Sequence, residues 1–459
     1  MARAVVKAIA VREIGSVATV AVAIVANSIR IKLQTQMVSK MHRLFVGVLL
    51  ALVMQSCIAY RFLGHGAEGI DDFETFPTDT IHAPDEPFRF AVGECPLLDT
   101  LRLQVARCDE PLTLRQMIDT LDSKHPSAGM VIVRNDTILF EHYRGMVAPD
   151  KHTTVFSVTK SVTSLLVGMA IDKGYIRSVE DPVTEYLPEL KEGAAEFSRL
   201  TVEHLLDMRT GLAFSENYDS NPFSGMARLH YGRDMQHQIR QQKFKVEPGT
   251  AFEYNSMSTA ILGAVLERAT GRRYADLLEE WVWKPLGMER YALMNLDDKE
   301  HRFAKAYGGL SSNPRDMARF GRLYLQRGEW EGERIVSREW VDRSFSQQRA
   351  SANGWYTNSW RTVPGRLSDE GRYEFRTEEL ADVMLRAHQT HGYPIDEMRA
   401  TQGKNGLWTL RVPTECFFAY GLHGQVIFVD PVKRVIAVYM GSDRLDYFPS
   451  LFYRMSRYL

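Results

Sequence analysis

The stretch Phe156-Ser157-Val158-Thr159-Lys160-Ser161-Val162-Thr163-Ser164-Leu165-Leu166-Val167-Gly168-Met169 constrains this chain more than any other. Val158, Val162, Leu165, Leu166 and Met169 recur at helical spacing. The stretch therefore predicts a buried helix with one stripe turned to the core, and Gly174 is placed to stop it. Ser157 and Lys160 stand three residues apart on one face at the helix start. A serine hydroxyl is a poor nucleophile at neutral pH. A lysine ammonium, with an ordinary pKa of about 10.4, cannot take the serine proton unless burial and the positive helix N-terminus favour the neutral amine. A buried helix start meets both conditions, so the pair reads as a nucleophile with its base. Serine and lysine are common and the spacing alone is weak, but this is the only Ser-x-x-Lys in the chain.

With 459 residues, 45% hydrophobic and 25% charged, the chain can bury a large core in one large or two modest domains. A formal net charge of -1 offers no global field for nucleic acid or an acidic membrane surface. The four cysteines, Cys57, Cys95, Cys108 and Cys416, form no CxxC and join no histidine at metal-ligand spacing, so neither a metal nor a cofactor is implied. There is no GxSxG and no His-Glu-x-x-His, which argues against Ser-His-Asp chemistry and a zinc hydrolase.

Residues 1–57 read as an N-terminal extension and a signal or anchor. From Met37 or Met41 a basic run ending at His42-Arg43 precedes apolar Leu44 to Val53 and then Met54-Gln55-Ser56-Cys57, the order of a bacterial lipoprotein signal in which Cys57 is lipidated. A plain transmembrane anchor over Leu44 to Phe62 remains the alternative. Either predicts export to the periplasm or cell envelope, with membrane contact only through this end. In an oxidising compartment Cys95 and Cys108 are either a disulfide or two thiols. Residues 58–97 read as a linker. Within it Gly64-His65-Gly66-Ala67-Glu68-Gly69 matches GxGxxG by letter only, since no strand precedes it and no amphipathic helix follows.

The folded domain is expected over 98–459, with a helical subdomain inserted at about 178–293. A helix is predicted over Leu112 to Ser123, then a hairpin of Ala128 to Val133 and Thr137 to His142 turning at Arg134-Asn135-Asp136. Tyr254 stands just before a helix start, with Gly271 as the stop. Further helices are expected over Arg315 to Arg327, Arg338 to Phe345 and Tyr447 to Tyr458. Gly354 to Trp360 begins a late strand, Arg366 to Thr409 reads as an inserted lid or surface element, and a second hairpin closes the sheet around Asp430-Pro431-Val432-Lys433.

From about Leu112 onward the chain resembles the β-lactamase-related serine hydrolases, most closely the branch of 6-aminohexanoate-dimer hydrolases and class C-like carboxylesterases. The resemblance rests on Ser157-Val158-Thr159-Lys160-Ser161, Asp181-Pro182-Val183 with Tyr186-Leu187-Pro188, and Glu203-His204-Leu205-Leu206 with Gly211-Leu212. It continues through Pro248-Gly249-Thr250, Tyr254-Asn255-Ser256, Gly308-Gly309-Leu310 and Asp316-Met317-Ala318-Arg319-Phe320-Gly321. It implies an α/β fold with a central antiparallel sheet flanked by helices and a mostly helical subdomain, with catalysis between them. It further implies Ser157 as acylated nucleophile, Lys160 as proton shuttle and Tyr254 as general base or relay. Leu422-His423-Gly424 would be the third element, with the amides of Ser157 and Gln425 as oxyanion hole. Two positions depart from class C β-lactamases: Ser256 replaces an asparagine and Leu422 replaces a lysine. Their loss weakens the hold on a β-lactam carboxylate, so small esters rank first, linear amides second and β-lactams last. A β-lactamase or D-Ala-D-Ala-type peptidase is the rival among enzymes, and a non-catalytic sensor or scaffold the rival outside them. The sequence sets neither the substrate nor the oligomeric state.

Overall fold

The computed structural model describes residues 68–459 except 106–107, 122–125, 219–220, 222, 347–348, 351–352, 366–373, 376, 380–398, 403–407 and 445–447. The described residues belong to one compact unit, His65–Leu459. Cys57, the run over Leu44 to Phe62 expected to be a signal or anchor, and most of the Arg366 to Thr409 insertion lie outside the described residues. No helix among the described residues is long and apolar enough to cross a membrane.

Ten strands form the main sheet. Eight of them are β1 (Ala91–Val92), β2 (Ala128–Arg134), β3 (Thr137–Arg144), β4 (Tyr356–Thr357), β5 (Trp360–Gly365), β6 (Trp408–Tyr420), β7 (Val426–Asp430) and β8 (Val435–Gly441). They lie in the order β4-β5-β6-β7-β8-β2-β3-β1, antiparallel throughout save the parallel edge pair β1 and β3. Two short strands, Glu374–Phe375 and Arg399–Gln402, also pair with β6. The expected hairpin is β2 and β3, closed by Asn135 and Asp136 at φ 48° and 60°, the left-handed region these two residues tolerate. The late strand is two strands, because Asn358 and Ser359 at φ 45° and 65° reverse the chain between β4 and β5.

Both faces of the sheet are covered, and the side chains sort with period two. Val131, Val133, Ile427, Val429, Ile436 and Val438 face one core. Met130, Ile132, Val426, Phe428, Val435 and Ala437 face the other. Helices α2 (Val158–Asp172), α3 (Ser256–Thr270) and α4 (Pro314–Leu325) belong to the first core, and α1 (Leu114–Asp119) with α5 (Phe448–Ser456) to the second. Helix α1 starts later than the apolar pattern suggests. Thr113 caps it, its hydroxyl accepting from Gln116 N–H while the Gln116 side chain accepts from Thr113 N–H.

Helix α2 departs most from expectation. Instead of one stripe, every residue from Val158 to Ala170 is buried. The polar side chains are accommodated by tertiary partners: Ser161 Oγ donates to the Ser359 carbonyl at 2.7 Å, and Thr163 Oγ1 bonds the Ala306 carbonyl at 2.6 Å and Tyr274 Oη at 2.7 Å. A helix buried around its whole circumference is held at one depth and one rotation. A smaller sheet orders Thr78–Ile81, Ala292–Asn295, Leu310–Ser312 and Thr153–Thr154, and its last strand leads straight into α2. Between Ser178 and Tyr291 the described residues form short 3₁₀ turns, helices and isolated bridges. Cys95, Cys108 and Cys416 are free thiols.

Candidate active site

The segment from Thr153 to Ser157 sets the nucleophile. Val155 N–H donates to the Leu310 carbonyl at 2.9 Å, tying the chain to the small sheet. Phe156 then takes φ 47°, a conformation a bulky side chain adopts only under constraint. That turn delivers Ser157 to the N-cap of α2, half-buried, with no acceptor for its N–H among the described residues.

Lys160 is buried one turn on. Its Nζ lies 2.9 Å from Ser157 Oγ, 3.0 Å from Ser256 Oγ and 2.8 Å from the Tyr307 carbonyl. The directions of these bonds follow from proton counting. A carbonyl only accepts. Ser256 Oγ gives its single proton to Glu216 Oε1 at 2.7 Å, so it too must accept from Lys160. Two N–H bonds are thereby assigned, and in the neutral amine the lone pair is left facing Ser157. Burial pushes Lys160 down to about 8 against the opposing pull of Glu216, with Arg361 adding to the depression. The neutral amine is within reach near physiological pH.

Tyr254 and Ser256 flank Asn255, whose Oδ1 caps α3 by accepting from Ser258 N–H at 2.9 Å. The cap fixes both neighbours. The Tyr254 hydroxyl interacts with the Ser157 side chain, and Lys160 Nζ lies 5.1 Å from the centre of its ring. Burial, reinforced by Glu216, raises the phenol well above its ordinary value, while the Ser157 bond and Arg361 oppose the rise. This environment holds the phenol in its protonated form.

The third element is a turn after β6, from Gly421 to Gln425. It packs against the nucleophile's approach: a Cβ on Gly421 would fall 2.5 Å from the Val155 carbonyl, and the rings of Phe156 and His423 are 5.4 Å apart. Its side chains are committed elsewhere. His423 Nε2 meets the Glu68 carbonyl at 2.9 Å, and the buried Gln425 amide bonds both ways with Gly441, at 2.5 and 3.1 Å. Gly424 N–H closes the turn on Gly421 at 3.1 Å, whereas Gln425 N–H reaches Leu422 O only at 3.5 Å, longer than a good hydrogen bond. The Gln425 amide is thus less committed than that of Gly424.

The sequence reading missed three residues that the fold brings here. Glu216 accepts from Ser256 N–H and Ser256 Oγ, both at 2.7 Å, and from Tyr218 Oη at 2.6 Å. Tyr307 supplies the carbonyl described above, and Arg361 lies 5.2 Å from the Tyr254 ring centre. Glu216 and Arg361 stand in no local pattern. Tyr307 directly precedes Gly308-Gly309-Leu310, the nearest thing to a signal for it. Asp297, Asp298 and His301 could gather ligand atoms within 4.8 Å of one another. Those atoms already accept from neighbouring backbone N–H groups or bond one another.

The beta-lactamase family profile matches residues 114–451. The chain is 32% identical over 252 residues to a 6-aminohexanoate-dimer hydrolase of Paenarthrobacter ureafaciens, covering 50% of this chain and 62% of the relative. It is 29% identical over 196 residues to esterase EstB of Burkholderia gladioli, covering 39% and 49%. The matches thus span less than two thirds of either relative. Among solved structures, a candidate 6-aminohexanoate-dimer hydrolase from Bacillus anthracis superposes with TM-score 0.63 at 20% identity, covering 86% of this chain and 92% of that one. EstCE1, a hydrolase with promiscuous acyltransferase activity, superposes with TM-score 0.52 at 16% identity, covering 75% and 96%. Both share the fold.

Proposed function

Because the chain belongs to the beta-lactamase family of serine hydrolases, we propose that it cleaves an ester or amide bond through an acyl-enzyme on Ser157. The observation that carries this reading is the position of Lys160 Nζ, 2.9 Å from Ser157 Oγ with its other bonds directed away. Neutral Lys160 takes the Ser157 proton as Oγ attacks the carbonyl carbon. The amides of Ser157 and Gln425 receive the developing oxyanion, each such donor contributing about 2.7–4 kcal/mol. Tyr254, kept protonated, gives its proton to the departing oxygen or nitrogen, and the proton held on Lys160 restores it. Water then attacks the acyl-enzyme, passes a proton to the same pair, and frees Ser157.

The names of the two curated relatives, an amide hydrolase and an esterase, are compatible with both bond types. Export with a lipid tether at Cys57 is part of the proposal and is supported by the signal-like sequence alone. A fluorophosphonate probe tests the core of it. We expect a single covalent adduct by intact mass, absent in Ser157→Ala; an adduct that persists in that variant removes Ser157 as nucleophile.

A further inference from the structure

A cavity lies at the opposite end of α3 from Ser256. Its volume is about 330 Å³, within the roughly 300–1,000 Å³ of small-molecule pockets. Glu267 lines it from α3, roughly 16 Å along the helix from Ser256, so the cavity is no part of the site described above. The turn Pro188–Glu192, the helix Met235–Arg240 and the last turns of α3 form its walls. Its floor is apolar: Leu187, Leu190 and Ile239 are buried there, and the small side chain of Ala264 leaves the space open. Its arginines are unequal. Arg268 bonds Glu189 through both guanidinium nitrogens at 3.0 and 3.3 Å, Arg272 pairs with Glu280, and Arg273 pairs with Asp276. Arg240, exposed at the rim, has no acidic partner among the described residues, so its charge is uncompensated. Glu267 does not neutralise it. Its Oε1 accepts from Tyr274 N–H at 2.9 Å, and burial, joined by Asp297 and Asp79, pushes the carboxyl up to about 7 despite that bond and Arg273.

We propose that this cavity binds a small organic monocarboxylate with a short apolar body, its carboxylate on the guanidinium of Arg240 and its chain over Leu187, Leu190 and Ile239. The choice of an anion follows from the two groups that are not already paired. A guanidinium keeps its charge at every relevant pH and offers a planar fork that matches a carboxylate. A carboxyl that is largely protonated makes no ion pair with an ammonium, but it can donate a hydrogen bond to a ligand oxygen. The apolar floor sets the rest of the class, since a purely polar anion would leave it unfilled. The inference is independent of the acyl-enzyme reading above, because none of these residues belongs to that chemistry.

The test is calorimetric titration of the full chain with hexanoate, hexylamine and hexan-1-ol at one ionic strength. Hexanoate is expected to bind one to one with a Kd of about 1 mM or below, and the amine and the alcohol about tenfold more weakly or worse. Arg240→Gln should weaken hexanoate about tenfold or more, and Ala264→Leu, which fills the floor, should abolish binding. Absence of saturable hexanoate binding overturns the site. Hexanoate affinity unchanged in Arg240→Gln places any binding elsewhere, the Ser157 side included, and overturns it as well. Hexylamine binding more tightly than hexanoate overturns the ligand class by giving Glu267 the leading part. Arg240 is exposed and holds no partner in the fold, so its variant decides the matter even if Ala264→Leu does not fold.

Discussion

The two sides of the site are built differently. Ser157 and Lys160 sit on α2, a helix buried around its whole circumference, where polar side chains such as Ser161 and Thr163 are bonded to other segments of the fold. Tyr254, Glu216 and Arg361 come from a pre-helical turn, a loop and the strand next to the sheet edge, and each is half-buried. The difference assigns work. The side that makes a nucleophile needs one fixed distance, and a helix packed on all sides supplies it. On the proposed mechanism the side that meets the substrate must touch solvent and ligand, and groups presented by turns, loops and half-buried strand positions can do so.

The rigid side should fail hardest. Lys160→Ala removes the proposed base and leaves Ser256 Oγ and the Tyr307 carbonyl without their donor. We expect kcat/KM for a short p-nitrophenyl ester to fall about a thousandfold or more. A fall below tenfold would mean that another group takes the serine proton. Tyr254→Phe should cost about a hundredfold in turnover with the melting temperature nearly unchanged, because the ring and its packing remain. Near-normal turnover would move the relay to another residue.

Stability separates the two sides next. Thr163→Val keeps shape but leaves the Ala306 carbonyl and Tyr274 Oη short of a partner inside the core. The expected cost is about 1–3 kcal/mol, read from urea unfolding, with turnover of the folded enzyme retained. An unchanged midpoint would show that α2 is less locked than its burial implies.

The smallest effect is on pH. Glu216 favours the charged form of Lys160, and burial holds that lysine at about 8. On the proposed mechanism the neutral amine is the active form, so kcat/KM should rise with pH through the lysine pKa. Glu216→Gln removes the charge that raises this pKa, so the rising limb should move to lower pH. A limb that stays in place or moves upward would exclude Glu216 from control of the base.

Ser157 and Lys160 stood out as a candidate pair through a local pattern, a spacing at a helix start, whereas Tyr254 was reached only through the family resemblance, since its place before a helix start is no signal by itself. The β2–β3 hairpin was legible from a local pattern as well, since Asn135 and Asp136 announce their own backbone. Glu216 and Arg361 were not. A loop acid and an arginine on β5 acquire meaning only when Ser256 and Tyr254 arrive next to them from elsewhere in the chain. Full burial of α2 was hidden for a related reason. Ser161, Thr163 and Lys160 look like a solvated face until the carbonyls of Ser359, Ala306 and Tyr307 are in place.

The hydrogen bonds behind Lys160 also govern traffic. Lys160, Ser256 and Tyr307 are buried and bond one another, so protein groups close the back of the site. On the proposed mechanism, whatever releases the acyl group must enter by the route the first product has just vacated. The half-reactions are then strictly ordered, and water has no privilege over other small nucleophiles at the entrance. The ratio of methyl ester to free acid formed in dilute methanol measures that competition directly, and it should rise in proportion to the alcohol supplied.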